Sequence, residues 1–218
     1  MSEAAQAIND RFTWDDYRGW PDDERWEIVG GEAFAMTPAP APRHQRVLHE
    51  LDRQMGNHFA DKECMVFPAP TDVKLSDQDV VQPDLLVVCD KSQIKATHIE
   101  GAPTLVVEIQ SPSTAAFDRV RKMRLYARSG VKEVWLITPY PWVAEVYALD
   151  GESYRLAQSC EKTDTLQSKL FPDLAIDLEK VFDFEIPPNE RILMVKEGRP
   201  TPYGGARERP SRQPAGTR

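Results

Sequence analysis

Cysteine is scarce in this chain, and the three that occur, Cys64, Cys89 and Cys160, are scattered, odd in number and never spaced as CxxC. That pattern supports neither a disulfide framework nor a zinc knuckle, and it agrees with a reducing, cytoplasmic setting. Positive charge is also short: 27 Lys and Arg stand against 35 Asp and Glu, a net charge of −8. A protein that coats nucleic acid non-specifically needs a broad cationic surface, so that class is excluded, whereas local basic patches are not. No apolar run approaches the length of a bilayer span, and the amino terminus lacks a cationic start followed by an apolar core; the expectation is a soluble, unexported protein with no membrane partner. Missing too are a GxSxG elbow, a Walker-type GxxxxGK[ST] loop and an HExxH pair, which removes the hydrolase classes built on them.

What the chain does have is a short apolar stretch that delivers an acid. Thr104 to Ser113 reads TLVVEIQSPS: Leu105, Val106 and Val107 form the continuous run of a buried central strand, which Ser111-Pro112 stops. Burying the Glu108 carboxylate is costly unless it meets a cation, a metal or several donors. Pairing with an arginine at a frayed strand end is the bland alternative. A second acid stands in VVQPDLLVVC, the stretch Val80 to Cys89. Proline inside a strand marks an edge, a bulge or a bend, so Asp84 is held in a buried sheet beside an irregularity. A turn aspartate between two short strands competes with that reading.

Around these acids the pattern predicts one α/β domain over residues 12–186. Thr13 and Asp16 cap a short helix that Pro21 ends. Arg25 to Met36 is an N-terminal hairpin turning at Gly30-Gly31, with Glu32 facing solvent and the role of Glu27 open. The connector TPAPAP leads to a helix from Arg43 to about Asp61, whose stripe is Val47, Leu48, Leu51, Met55 and Phe59. His44 lies in its first turn, where a polar group can meet an anion. Strands are expected over Met65–Phe67, Thr71–Leu75 and Val80–Cys89, then a polar excursion to Pro103. A helix from Thr114 to Ser129, closed by Gly130, carries an apolar stripe of Ala116, Val120, Met123 and Ala127 and a cationic face of Arg119, Arg121, Lys122, Arg124 and Arg128. The strand Val131 to Thr138 completes a βαβ unit with the Glu108 strand, and Val143–Ala148 pairs with Ser153–Ala157 around Asp150-Gly151. A turn at Phe171–Leu174 and a short helix at Leu178–Phe182 close the domain. Residues 187–218, rich in Pro, Gly and Arg, read as a disordered tail.

The ordered set WEIVGGE, a histidine in the first turn of the next helix, QPDLLVV, APTLVVEIQSPS, D-x-x-x-K-x-x-x-Y and GVKEVWLITP resembles the Uma-two family within the PD-(D/E)XK restriction-endonuclease-like superfamily, over roughly Phe12 to Phe184. Each motif alone is weak; their order over most of the chain is strong. The resemblance implies a mixed β-sheet core flanked by helices and a nuclease that hydrolyses DNA phosphodiester bonds. It makes Asp84 and Glu108 the ligands of Mg²⁺ or Mn²⁺, an ion that neutralises phosphate charge and acidifies water. The chain departs from the superfamily pattern at Gln110, where a lysine is usual. Lys122, four residues after Asp118, matches the family's D-x-x-x-K and becomes the candidate for a migrated catalytic lysine, with a surface lysine among arginines as the competing reading. Gln110 would position water, and His44 or Glu27 would assist. A catalytically inactive fold that binds nucleic acid or protein is the second hypothesis, favoured by Gln110 and the acidic charge. Cutting both strands of a duplex would be easiest for a two-fold homodimer.

Overall fold

The computed structural model describes residues 11–21, 24–36, 40–111 and 117–185. The tail and the connector 37–39 lie outside the described residues, as does the start of the 114–129 helix. Helix α1 (Trp14–Tyr17) is closed at its start by the Thr13/Asp16 capping box. Strands β1 (Trp26–Val29) and β2 (Glu32–Ala35) form the expected hairpin, with Gly30 and Gly31 at φ 60° and 81°. Helix α2 (Pro42–Phe59) follows, with proline in its first turn, where a missing N–H costs nothing.

The stretch around Pro83 is two strands, not one. β3 (Met65–Pro68) and β4 (Val73–Ser76) precede β5 (Asp79–Val81) and β6 (Leu85–Val88), and β5 and β6 belong to different sheets. The proline is a bend through which the chain leaves one sheet for the other. β7 (Ile99–Glu100) and β8 (Leu105–Ile109) come next; β9 (Glu133–Pro139), β10 (Trp142–Asp150) and β11 (Ser153–Glu161) follow the connecting helix. One sheet runs β2-β1-β5-β4-β7 and the other β11-β10-β9-β8-β6-β3, while β12 (Thr165–Gln167) and β13 (Ala175–Asp177) pair separately. β8 and β9 are parallel, as the βαβ reading requires, and their neighbours in that sheet are antiparallel. The core is therefore a mixed sheet.

Alternation along the strands sorts the core into two layers. Leu85, Val87, Leu105, Val107, Ile109, Trp135 and Ile137 face α2 and its stripe of Val47, Leu48, Leu51, Met55 and Phe59, joined by α4 (Leu178–Val181). Leu86, Val88, Val106, Val134 and Leu136 face the other way, onto Val73 and Val81 of the smaller sheet and onto helix α3 (Met123–Ser129). Glu108 shares the parity of Val106.

Two expectations are corrected here. Cys64 and Cys89 form a disulfide: antiparallel pairing of Met65 with Val88 brings the flanking cysteines together across 25 residues of sequence, which spacing alone does not reveal. The connecting helix also has a different phase. Asp118–Lys122 is a π-helical turn ahead of α3, and its extra residue rotates everything upstream of it relative to a regular helix. Val120, placed in the apolar stripe by sequence, is 50% exposed, whereas Leu125, Tyr126 and Ala127 are buried. Gly130 ends the helix as expected, at φ 87°.

Glu133, at the start of β9, shows how a fully buried acid is held without a cation. Its oxygens accept from Trp135 Nε1 at 2.7 Å, Ser168 Oγ at 2.8 Å, Lys169 N at 2.8 Å and Leu170 N at 3.0 Å. This pins the 168–170 turn to the sheet. Glu133→Ala removes the acceptor of Trp135 Nε1, Ser168 Oγ and Lys169 N, while Leu170 N keeps Ser168 Oγ at 3.1 Å, and is expected to cost about 3 kcal/mol, read as a lower urea midpoint with an unchanged slope.

Candidate active site

Three elements converge on one buried ammonium. Lys122 is only 3% exposed. Its Nζ lies 2.7 Å from Glu27 Oε1 on β1 and 3.1 Å from Glu108 Oε1 on β8. Lys122 precedes the buried Leu125 and Tyr126 by three and four residues, so helical spacing puts it on their face while its arginine neighbours point elsewhere. Three of those neighbours are paired with acids: Arg119 with Glu145, Arg121 with Glu32 at 3.1 Å and Arg128 with Asp79 at 2.6 Å.

Glu27, left open by the sequence, is fully buried. Its Oε1 also accepts the backbone N–H of Gln82 at 3.0 Å, at the bend between the sheets. Its Oε2 is buried with no partner. Tyr126, one helical turn beyond Lys122, donates its hydroxyl to Glu108 Oε1 at 2.5 Å. Burial, reinforced by the Glu108 charge, raises the Tyr126 phenol well above its ordinary value, so it remains a donor.

Asp84 follows the bend by two residues. Its Oδ2 accepts the Ile109 N–H at 2.7 Å and its Oδ1 meets His44 Nε2 at 3.1 Å. The first contact sets Asp84 beside the strand that carries Glu108. His44 Nδ1 is buried and without a partner. Gln110 has the same parity as Glu108; its N–H donates to Ile137 O at 2.8 Å and its Oε1 accepts from Thr138 Oγ1 at 3.1 Å, leaving Nε2 buried and unpartnered.

Of the five residues picked from the sequence, Lys122 contacts Glu108, and His44 contacts Asp84, whose other oxygen accepts the Ile109 N–H next to Glu108, while Gln110 follows on the same strand and is bound to Thr138. Tyr126, the tyrosine of D-x-x-x-K-x-x-x-Y, and Thr138, within GVKEVWLITP, stood in the motifs but were given no role. Among the described residues, no group of three or more His, Cys, Asp or Glu could hold a metal by itself. Asp84 and Glu108 supply carboxylate oxygens from adjacent chain segments, the donor type and number that Mg²⁺ takes when water and substrate phosphate complete its shell. Two carboxylates, Glu27 and Glu108, face the ammonium, and Glu27 Oε2 is buried with no partner. The residues present fit a hard divalent cation.

A mixed sheet with a helix on each face, and acids at the ends of neighbouring strands, is the architecture of the restriction-endonuclease-like class. The profile of the Uma2 family, described as "Putative restriction endonuclease", matches residues 14–179, and the chain belongs to that family. Two uncharacterized proteins of Synechocystis sp. are similar to it, one 28% identical over 159 residues, covering 71% of this chain and 83% of the relative, the other 26% identical over 137 residues, covering 59% and 75%. A crystal structure from Anabaena variabilis, described as a putative nuclease belonging to DUF820, matches with a TM-score of 0.64 at 18% identity over 78% of this chain and 97% of that one. At that identity the likeness establishes the fold.

Removing the ammonium leaves two buried carboxylates without their shared cation. Lys122→Met is expected to lose about 3–5 kcal/mol of stability, measured by urea unfolding. Adding Glu27→Gln to it should recover part of the loss; a purely additive pair would show that the two side chains are energetically independent.

Proposed function

We propose that this protein is a metal-dependent endonuclease that hydrolyses DNA phosphodiester bonds. The observation that carries the reading is Lys122, a lysine desolvated between Glu27 and Glu108 at the strand ends where Asp84 also sits. Burying an ammonium there has a cost that a surface ion pair would avoid, and phosphoryl transfer offers a use for it.

Asp84 and Glu108 would hold Mg²⁺ or Mn²⁺, which when bound supplies positive charge at a phosphate oxygen and acidifies a water. The chain's own groups do the rest. Lys122 offers fixed charge to the additional negative charge of the transition state, in a site that excludes bulk water and so weakens it little. Glu27, anchored by the Gln82 N–H, keeps the lysine stem from drifting. Gln110 replaces the usual lysine with an amide whose free N–H groups donate to water or a phosphate oxygen, its orientation set by Thr138. His44 fixes Asp84 through Nε2 and leaves Nδ1 available to a water. Cleavage of both strands would come from a two-fold dimer, each copy taking one strand.

A binding module without chemistry is the second reading. The pairing of Arg119, Arg121 and Arg128 with acids and the amide at Gln110 favour it, because neither supplies the charge a nuclease uses.

Calorimetry and plasmid cleavage on the same preparations separate the two. Wild type is expected to bind Mn²⁺ and nick supercoiled DNA. Asp84→Ala and Glu108→Ala should lose both, whereas Lys122→Ala should still bind metal but cleave more slowly by roughly 10²–10³, the size of losing one charge-stabilising donor. A wild type that neither binds Mn²⁺ nor nicks DNA sinks the nuclease reading and leaves the module.

A further inference from the structure

We propose that Tyr126 is a positioning residue for Glu108: its phenol holds the carboxylate in the orientation that meets the divalent cation while the Lys122 ammonium turns toward the phosphate. This rests on the nuclease reading of the same site.

The geometry sets up a division of labour. Glu108 Oε1 receives the Tyr126 hydroxyl at 2.5 Å and the Lys122 ammonium at 3.1 Å, while the ammonium lies closer, at 2.7 Å, to Glu27. The shorter contact at Glu108 therefore belongs to the neutral donor. The two donors also differ in mobility. Lysine carries its charge on a flexible four-carbon stem. Tyr126 is 1% exposed and packed among Val73, Val81, Leu86, Val106 and Leu136, in the layer between the two sheets, so its hydroxyl cannot leave without displacing the core. The lysine's hold on Glu108 would lapse each time the ammonium moved to substrate. The phenol stays, a fixed donor to the same oxygen. The spacing serves this: Lys122 and Tyr126 lie one turn apart, across the join between the π-turn and α3, and reach the same oxygen.

A tyrosine that merely fills the core would affect stability and leave metal affinity alone, so metal affinity is the deciding readout. Tyr126→Phe keeps the ring and removes only the hydroxyl. Its Mn²⁺ dissociation constant, by calorimetry, is expected to rise about tenfold, the lower end of what partners that orient a metal ligand contribute, with plasmid nicking slowed in proportion. In a Lys122→Met background the same change should weaken Mn²⁺ binding by a larger factor, because the phenol then carries more of the load. Wild-type Mn²⁺ affinity in Tyr126→Phe overturns the role of the phenol while leaving the nuclease reading standing. Absence of Mn²⁺ binding in the wild type overturns both. Should the Lys122→Met protein fail to fold, the single variant decides alone.

Discussion

The structure depends on a lysine that has been taken out of water. Lys122 joins Glu27 of the smaller sheet to Glu108 of the larger one from a helix that packs against both. An ammonium in such a place is tolerated only when its charge is matched. That requirement propagates outward. It demands a hairpin that delivers Glu27, a helix that sets Lys122 on the face of Leu125 and Tyr126, and a bend at Gln82-Pro83-Asp84 that lets one peptide N–H brace Glu27 while a residue two positions on reaches the Glu108 strand. Asp79 ties the same helix to the smaller sheet a second time. It accepts from Gly30 N at 2.8 Å in the hairpin and from Arg128 at 2.6 Å near the end of the connecting helix. The helix is thus held to the smaller sheet by charge at two points, with Val73, Val81 and Tyr126 in the same apolar layer.

Glu133 and Glu108 make an instructive pair. They lie on neighbouring parallel strands, both buried, and differ in what satisfies them. Glu133 takes one indole, one hydroxyl and two peptide donors and holds a turn. Glu108 takes a phenol and an ammonium, the latter shared with a carboxylate that still has an unpartnered oxygen. Burial of an acid by itself therefore says little about chemistry. Buried polar atoms without a partner, Glu27 Oε2 beside the same ammonium and His44 Nδ1 and Gln110 Nε2 on the neighbouring segments, are what set this region apart from the fully satisfied Glu133 anchor.

Much of this was legible in the sequence, for reasons that can be named. β8 announced itself because an acid interrupted a β-branched run, and α2 because its stripe keeps helical spacing. The βαβ unit followed from two buried strands with one helix between them, a connection short enough to fix parallel pairing. Less was legible where the answer depends on a partner far away in the chain. Glu27 could be placed in a hairpin, but its full burial is decided by β5 and α3, which the local pattern does not contain. The disulfide needed the β3 and β6 register. The apolar stripe of the connecting helix was misassigned because a π-turn adds one residue, and periodicity read at 3.6 residues per turn cannot see it.

Lys122 stood between two readings, a migrated catalytic lysine and a surface lysine among arginines. The local pattern suits the second, because Arg119, Arg121 and Arg128 do pair with acids. Its burial follows from the residues after it: Lys122 precedes Leu125 and Tyr126 by three and four positions, so helical spacing sets it on the face that those buried side chains define. The π-turn acts on the residues before it and leaves Val120 exposed. Burying an ammonium is costly unless its charge is matched. Glu27 and Glu108 supply that match, and Tyr126 donates to the same Glu108 oxygen. A cation on a core-facing helix position, where an apolar side chain would pack at lower cost, is a local rule broken, and such breaks concentrate where a site constrains the fold.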